Sequence, residues 1–305
     1  MAGSTTVLVT GARGFIGSAL FELARKEAES DLDLIGVDRE EADLRDPDAA
    51  ARLLAKIAPE RVVHLAGKLV KGEGPNVLEE QMADTFRAGT VLLDAALGAG
   101  VRQVLIAGTI DEFGSQSGVL SPGAGACPVS YYGLAKSLLH EYAGFFARRA
   151  ELRVDWFRPF IVYGPGQVNG NMLLPTAFRA AKSGQPAQFS DGSQERDFIH
   201  VQDVASWLLA ALRIQLRPGP GGLHEHHLGT GESVAVRRVL TAISQEFPGA
   251  RFELGALPRR PGEPKTQLAP PYNATEPALK GWRPRYDWRS GIAETAGWWK
   301  SKDAL

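Results

Sequence analysis

Val7-Leu8-Val9-Thr10-Gly11-Ala12-Arg13-Gly14-Phe15-Ile16-Gly17 decides the fold of this chain. An apolar run rich in valine feeds a tight turn, after which Phe15, Ile16, Ala19, Leu20 and Leu23 recur at helical spacing. Glycines at such a turn let the backbone bend sharply and let a pyrophosphate approach the amides of a helix N-terminus. The spacing is GxxGxxG, one residue wider than the GxGxxG dinucleotide fingerprint. Three glycines alone are a weak signal. The next apolar run, Leu32-Asp33-Leu34-Ile35-Gly36-Val37, ends in Asp38, at the distance where an acid holds the adenosine ribose hydroxyls. Turn and acid together predict a dinucleotide site.

Outward from this unit, Arg61–Ala66, Gln103–Gly108 and Arg153–Arg158 read as buried strands, with helices Val77–Leu97 and Tyr132–Arg149 between them. This rhythm predicts an α/β fold: a Rossmann-type, doubly wound parallel sheet covered on both faces. After Gly164 glycine and proline become dense and short elements alternate with loops.

Tyr132 and Lys136 stand one helical turn apart and point the same way. A neighbouring ammonium favours the phenolate, and a phenol tuned in this way can exchange a proton with a sugar or alcohol oxygen as hydride leaves or arrives. A lone Tyr-xxx-Lys is an ordinary surface pair. Downstream of a dinucleotide turn it reads as a proton relay.

The combination resembles the extended short-chain dehydrogenase/reductases, the NAD-dependent epimerase/dehydratase family acting on nucleotide sugars. Further motifs carry the resemblance nearly end to end: His64-Leu65-Ala66-Gly67, Gly108-Thr109 through Phe113-Gly114, and Arg158-Pro159-Phe160-Ile161-Val162-Tyr163-Gly164-Pro165-Gly166. Glu195-Arg196-Asp197-Phe198-Ile199-His200-Val201-Gln202-Asp203 and Arg260-Pro261-Gly262-Glu263 complete it. The resemblance implies that Gly11, Arg13, Gly14, Phe15, Ile16, Gly17, Asp38 and Arg39 hold the cofactor. Asp43 and Leu44 would meet adenine, with Leu65, Ala66, Gly67, Tyr132, Lys136, Pro159, Ile161 and Val162 along the rest of it. Thr109, Tyr132 and Lys136 would be catalytic. Thr109, Ile110, Asp111, Asn171, Gln188, Phe189, Arg196, Arg260 and Glu263 would line the substrate. Arginine suits a diphosphate, being planar, permanently charged and bidentate. The resemblance also implies a smaller C-terminal α/β substrate lobe built from 166–197 and 229–305, with 1–165 and 198–228 forming the cofactor lobe. One departure stands out: the family's Asn three residues before Gly89-Thr90 is Phe86 here.

Gly108–Gly114 bears on the reaction. Ile110 stands where the 4,6-dehydratases carry an acid, which disfavours elimination although Asp111 leaves one carboxylate in reach. The segment is similar to GSSEEYG of the 4-keto-6-deoxyhexose reductases, so a nucleotide-sugar 4-ketoreductase is expected, with a C4 epimerase as the alternative. A redox sensor without chemistry would not need the proton relay, and a reductase of non-nucleotide carbonyls would not need Arg196 and Arg260. Asp38 would repel a 2′-phosphate, so NAD(H) is favoured; Arg39 behind it keeps NADP(H) as the alternative.

A net charge of −1 gives no reason to expect binding to nucleic acid or to an anionic membrane. No apolar run reaches the ~20 residues of a membrane helix. Met1–Thr6 leads into the first strand without an export signal, and Cys127 is the only cysteine, so a cytoplasmic location is expected. A homodimer is expected from helices 77–97 and 132–149, which are richer in apolar residues than one buried face requires. His224, His226 and His227 alternate on a strand and would not converge on a metal. Trp298-Trp299 reads as core packing or an interface.

Overall fold

The computed structural model describes residues 4–27, 31–70, 72–150, 152–169, 172–216, 221–272 and 279–302. The first unit is β1 (Thr5–Thr10), α1 (Phe15–Lys26) and β2 (Leu32–Val37). Then come α2 (Pro47–Ile57), β3 (Arg61–His64), α3 (Pro75–Gln81), α4 (Ala88–Gly98), β4 (Gln103–Ala107), β5 (Gly118–Val119), α5 (Tyr131–Ala147) and β6 (Arg153–Pro159). A π-helical segment, Met82–Arg87, joins α3 to α4 into one rod.

Six parallel strands form the central sheet in the order β2-β1-β3-β4-β6-β11, where β11 is Gly222–Leu228. The chain winds one way from β1 to β2 and the other way from β3 onward. The carboxyl ends of β1 and β3 therefore flank a topological switch point, where ligands of open α/β sheets bind. Alternation along β1 builds both cores. Val7 and Val9 pack with Ala19 and Leu20 of α1 and with Val204 and Leu208 of α7 (Val201–Ala211). Leu8 points the other way, among Leu54, Leu92 and Leu139 of α2, α4 and α5.

A third apolar cluster lies beyond the sheet. It is built by α6 (Leu173–Ser183), α8 (Val236–Glu246) and α9 (Trp288–Ser301), with Phe178 stacked on Trp299. Short strands complete this region: β7 (Ile161–Tyr163) beside β10 (Phe198–His200), β8 (Pro186–Phe189) beside β13 (Arg251–Leu254), and β12 (Val234–Ala235)-β9 (Glu195–Arg196)-β14 (Thr266–Leu268)-β5.

The strand read as Arg61–Ala66 stops at His64. Leu65 still donates its N–H to Thr10, and the chain then turns away to open the switch point. His226 and His227 of β11 are buried and His224 is half-buried. His226 Nε2 meets Asp155 at 2.9 Å and His227 Nδ1 meets the Leu120 carbonyl at 2.7 Å. No group of residues able to hold a metal occurs among the described residues, and none of their helices is long and apolar enough to cross a membrane. Trp299 is core, while Trp298 is half-buried and lines the cleft described below.

Candidate active site

The glycine turn leaves a cradle. Gly11 has φ +72, and a Cβ there would lie 2.8 Å from the Ala66 nitrogen on the neighbouring strand end. A Cβ on Gly17 would meet the Gly11 carbonyl at 2.4 Å. Gly14 caps α1 without a side-chain hydrogen bond, and the first turn carries no acid. The positive helix end is thus unspent, as an incoming pyrophosphate needs. These residues fit a dinucleotide.

Beside this cradle a cavity of about 300 Å³ is lined by Gly11, Asp38, Arg39, Asp43, Leu44 and Ala66, among others. Asp38 Oδ2 accepts from Arg13 Nε at 2.7 Å and from its backbone N–H at 3.3 Å. Arg39 reaches Asp84 at 3.5 Å, and Arg45 grips Asp43 at 2.6 Å, holding that carboxyl down at about 2.

A cleft of about 2340 Å³ runs on from the turn between the sheet and the third cluster. Phe15, Ile16, Leu65, Gly67, Thr109, Ile110, Asp111, Tyr132, Lys136, Pro159, Ile161 and Val162 border it, as do Gln188, Phe189, Arg196, Arg260 and Glu263. Asn171 lies outside the described residues.

Tyr132 and Lys136 occupy the first turns of α5, which begins on Ser130, whose hydroxyl accepts from the Gly133 N–H. Lys136 Nζ lies 5.9 Å from the Tyr132 ring centroid and donates to the Ala107 carbonyl at 2.6 Å. Burial lowers Lys136 to about 8, against the opposing pull of Glu112. The expected depression of the Tyr132 pKa is not what the structure shows. Burial raises it, and Asp111 and Glu112 raise it further. The Lys136 ammonium is turned to the Ala107 carbonyl, so the enclosure of the phenol prevails, with the two acids adding to it. His64, buried and bonded to the Thr10 hydroxyl at 2.8 Å, is pushed to about 3 by burial and by Lys136, and stays neutral.

Thr109 has extended backbone (φ −155, ψ 151) and caps a 3₁₀ turn, Ile110–Phe113, its hydroxyl accepting from the Asp111 N–H at 3.2 Å. Asp111 opens onto the cleft. Enclosure raises its pKa, Arg260 opposes, and Glu112 adds to the rise.

On the far wall Arg196 is 8% exposed and already engaged. It donates to Glu263 at 3.1 Å and to the carbonyls of Glu195 (2.8 Å) and Pro264 (3.1 Å). Arg260 is exposed at the cleft rim. Gln188 bonds Glu253 at 3.0 Å, while Phe189 is buried edge-on to Phe252.

Sequence reasoning missed three buried groups. Glu112 lies directly behind Thr109, and the capping-box spacing Thr109-x-x-Glu112 was the available signal. Gln81 and Thr85 form a buried polar pair near Phe86 in sequence. Gln81 Nε2 donates to Thr85 Oγ1 (2.7 Å) and to the Lys68 carbonyl (2.9 Å), and its oxygen accepts from Val70 N–H. The π-helical segment that carries Thr85 changes the helical register here, so spacing alone could not reveal this pair.

A model of the NAD dependent epimerase/dehydratase family matches residues 7–220. The UDP-glucose 4-epimerase of Mycolicibacterium smegmatis is 31% identical over 323 residues, covering 97% of this chain and 98% of that enzyme. The UDP-glucose 4-epimerase of Rhizobium leguminosarum bv. trifolii is 28% identical over 331 residues, 99% of each chain. Among solved structures, MoeE5 in complex with UDP-glucuronic acid and NAD superposes with a TM-score of 0.82 at 31% identity, over 97% of this chain and 99% of that one. The UDP-glucose 4-epimerase of Thermus thermophilus in complex with NAD gives 0.77 at 27%, over 97% and 99%. A glycine cradle at a switch point, a Tyr-Lys pair beside it and these matches have one reading: the chain belongs to the NAD-dependent epimerase/dehydratase family.

Proposed function

We propose that this protein is an NAD-dependent C4 epimerase of a nucleotide sugar, with uridine diphosphate sugars as the substrate class. The observation that carries the proposal is the relay of Thr109, Tyr132 and Lys136 bordering one cleft with the glycine cradle, with no acid at Ile110 to drive elimination. The curated relatives named above are 4-epimerases, and MoeE5 holds a uridine diphosphate sugar. The expected 4-ketoreductase gives way to its alternative on the strength of these relatives. Of the two acids in the likeness to GSSEEYG, Glu112 is fully buried and Asp111 opens onto the cleft.

When bound, NAD would accept the hydride of C4 and give it back, and its positive charge would favour the Tyr132 phenolate. Tyr132 as phenolate takes the proton of the C4 hydroxyl as hydride leaves C4, and Thr109 donates a hydrogen bond to the same oxygen. Once the 4-keto sugar has turned its other face, Tyr132 gives the proton back to the C4 oxygen. Lys136 holds positive charge below the phenolate. Arg196 and Arg260 neutralise the diphosphate.

The division into two lobes, 1–165 with 198–228 and 166–197 with 229–305, belongs to this reading and is supported by the separate third apolar cluster. So does a homodimer, supported by exposed Leu97, Leu138 and Phe145 on α4 and α5. Light scattering tests the latter, and a 32.8 kDa particle at micromolar concentration would remove it. The function is tested by incubating the protein with UDP-glucose and catalytic NAD. Formation of UDP-galactose without net cofactor consumption is expected. Stoichiometric oxidation of NADH by a nucleotide 4-keto-6-deoxyhexose, with no epimerisation, would overturn the reading.

A further inference from the structure

Glu112 is a fully buried acid that the mechanism above does not use. Its Oε1 accepts from the Thr109 backbone N–H at 2.8 Å and from Trp156 Nε1 at 3.2 Å. Its Oε2 accepts from Arg158 Nε at 2.7 Å. Arg158 is buried too, and its other arm reaches Glu225 at 2.7 Å. The space is fitted to the carboxylate: a Cβ on Gly108 would come within 2.7 Å of Oε1.

This arrangement fixes Thr109 twice. Glu112 holds its amide from inside the wall, and the Asp111 N–H takes one lone pair of its hydroxyl. The hydroxyl hydrogen remains available to donate into the cleft.

We propose that Glu112 is a positioning residue of the proton relay: it locks Thr109 so that its hydroxyl donates toward the substrate oxygen, and it places a fixed negative charge behind Tyr132 and Lys136. The proposal rests on the relay assigned above. The ionisable groups facing Glu112 are Lys136 and Tyr132 from α5, Arg158 from β6 and Asp111 within its own turn; Glu225 and His140 lie beyond Arg158. Its charge favours the Lys136 ammonium and disfavours the Tyr132 phenolate. Both groups therefore titrate higher with Glu112 than without it.

The test is Glu112→Gln, which keeps the shape and an accepting oxygen but removes the charge. Lys136 is first titrated by NMR in the free protein, a measurement that needs no substrate. Its midpoint is expected to fall below the wild-type value of about 8. In the turnover assay KM should stay nearly unchanged, since Glu112 does not touch the substrate. Both limbs of the kcat/KM profile should move to lower pH. Should Glu112→Gln fail to fold, the double variant Glu112→Leu/Arg158→Met removes the buried pair together, which proteins tolerate better than an orphaned charge. The same downward shifts are expected from it. A lower kcat with an unmoved profile and an unmoved Lys136 titration would make Glu112 purely structural and overturn the proposal. Absence of epimerisation in the wild type would instead fault the relay reading, and the Lys136 titration would still report on Glu112.

Discussion

The two walls of the cleft are made differently. The cofactor wall is a backbone surface: Gly11 at φ +72, Gly17 pressed to the Gly11 carbonyl, and a helix end left uncapped. The opposite wall is a side-chain surface, where Arg196, Glu263, Arg260, Gln188 and Phe189 come from separate strands and loops. Backbone sites tolerate few residues, because an added Cβ collides with main chain that cannot move aside. Side-chain sites can be rebuilt one residue at a time. A fold that keeps its redox cofactor and changes its substrate would be expected to divide the labour in this way.

Tyr132 stands where the walls meet, and its removal should have the largest effect. Tyr132→Phe is expected to lower turnover ~10²–10⁴-fold. Calorimetric affinities for NAD and UDP should both stay near wild type; loss of either would mean that the ring and not the hydroxyl is what matters. Gly17→Ala probes the backbone wall alone. With a Cβ 2.4 Å from the Gly11 carbonyl, strain of about 1–3 kcal/mol should weaken NAD about 5–150-fold and leave UDP binding intact. Equal loss of both ligands would show that the walls are not independent. Arg196→Ala is the converse. Loss of a charged hydrogen bond of about 1.5–3 kcal/mol should weaken UDP by roughly 10–100-fold and spare NAD. Arg196→Lys should recover only part, because one ammonium cannot replace a fork. The smallest effect is one of pH. Lys136 is held near 8 by burial, so its ammonium is present below that value and lost as pH rises through it. A kcat/KM profile falling above pH ~8 in the wild type is the expected record, and a profile flat to pH 10 would count against Lys136.

The same contrast explains what the sequence revealed. The βαβ rhythm and the glycine turn were legible because each is a local requirement with a fixed spacing. Leu32–Val37 emerged with its bounds unchanged. Asp197 and Asp203 were read as parts of a motif, yet their work is distant. Asp197 accepts from the N–H groups of Thr230 and Gly231 at 2.8 Å, and Asp203 from that of Arg285 at 2.9 Å. No spacing rule reports a partner 82 residues away. The Tyr132 expectation failed for a related reason. Helical spacing placed Lys136 beside the phenol but could not show how deeply the phenol is enclosed or that Ala107 would claim the ammonium.

The sheet has a late strand. β11 closes it against β6, yet it follows β6 only after the chain has passed through α6 and α7. During synthesis, the first 165 residues emerge with every strand of the sheet except this edge. Until Leu228 has been made, β6 offers an open row of backbone groups, Asp155 waits for His226 and Arg158 for Glu225. An unpaired strand edge invites pairing with another chain. A protein cut between β6 and β11 would thus yield a first piece prone to aggregation, even though it carries the glycine turn, Tyr132 and Lys136.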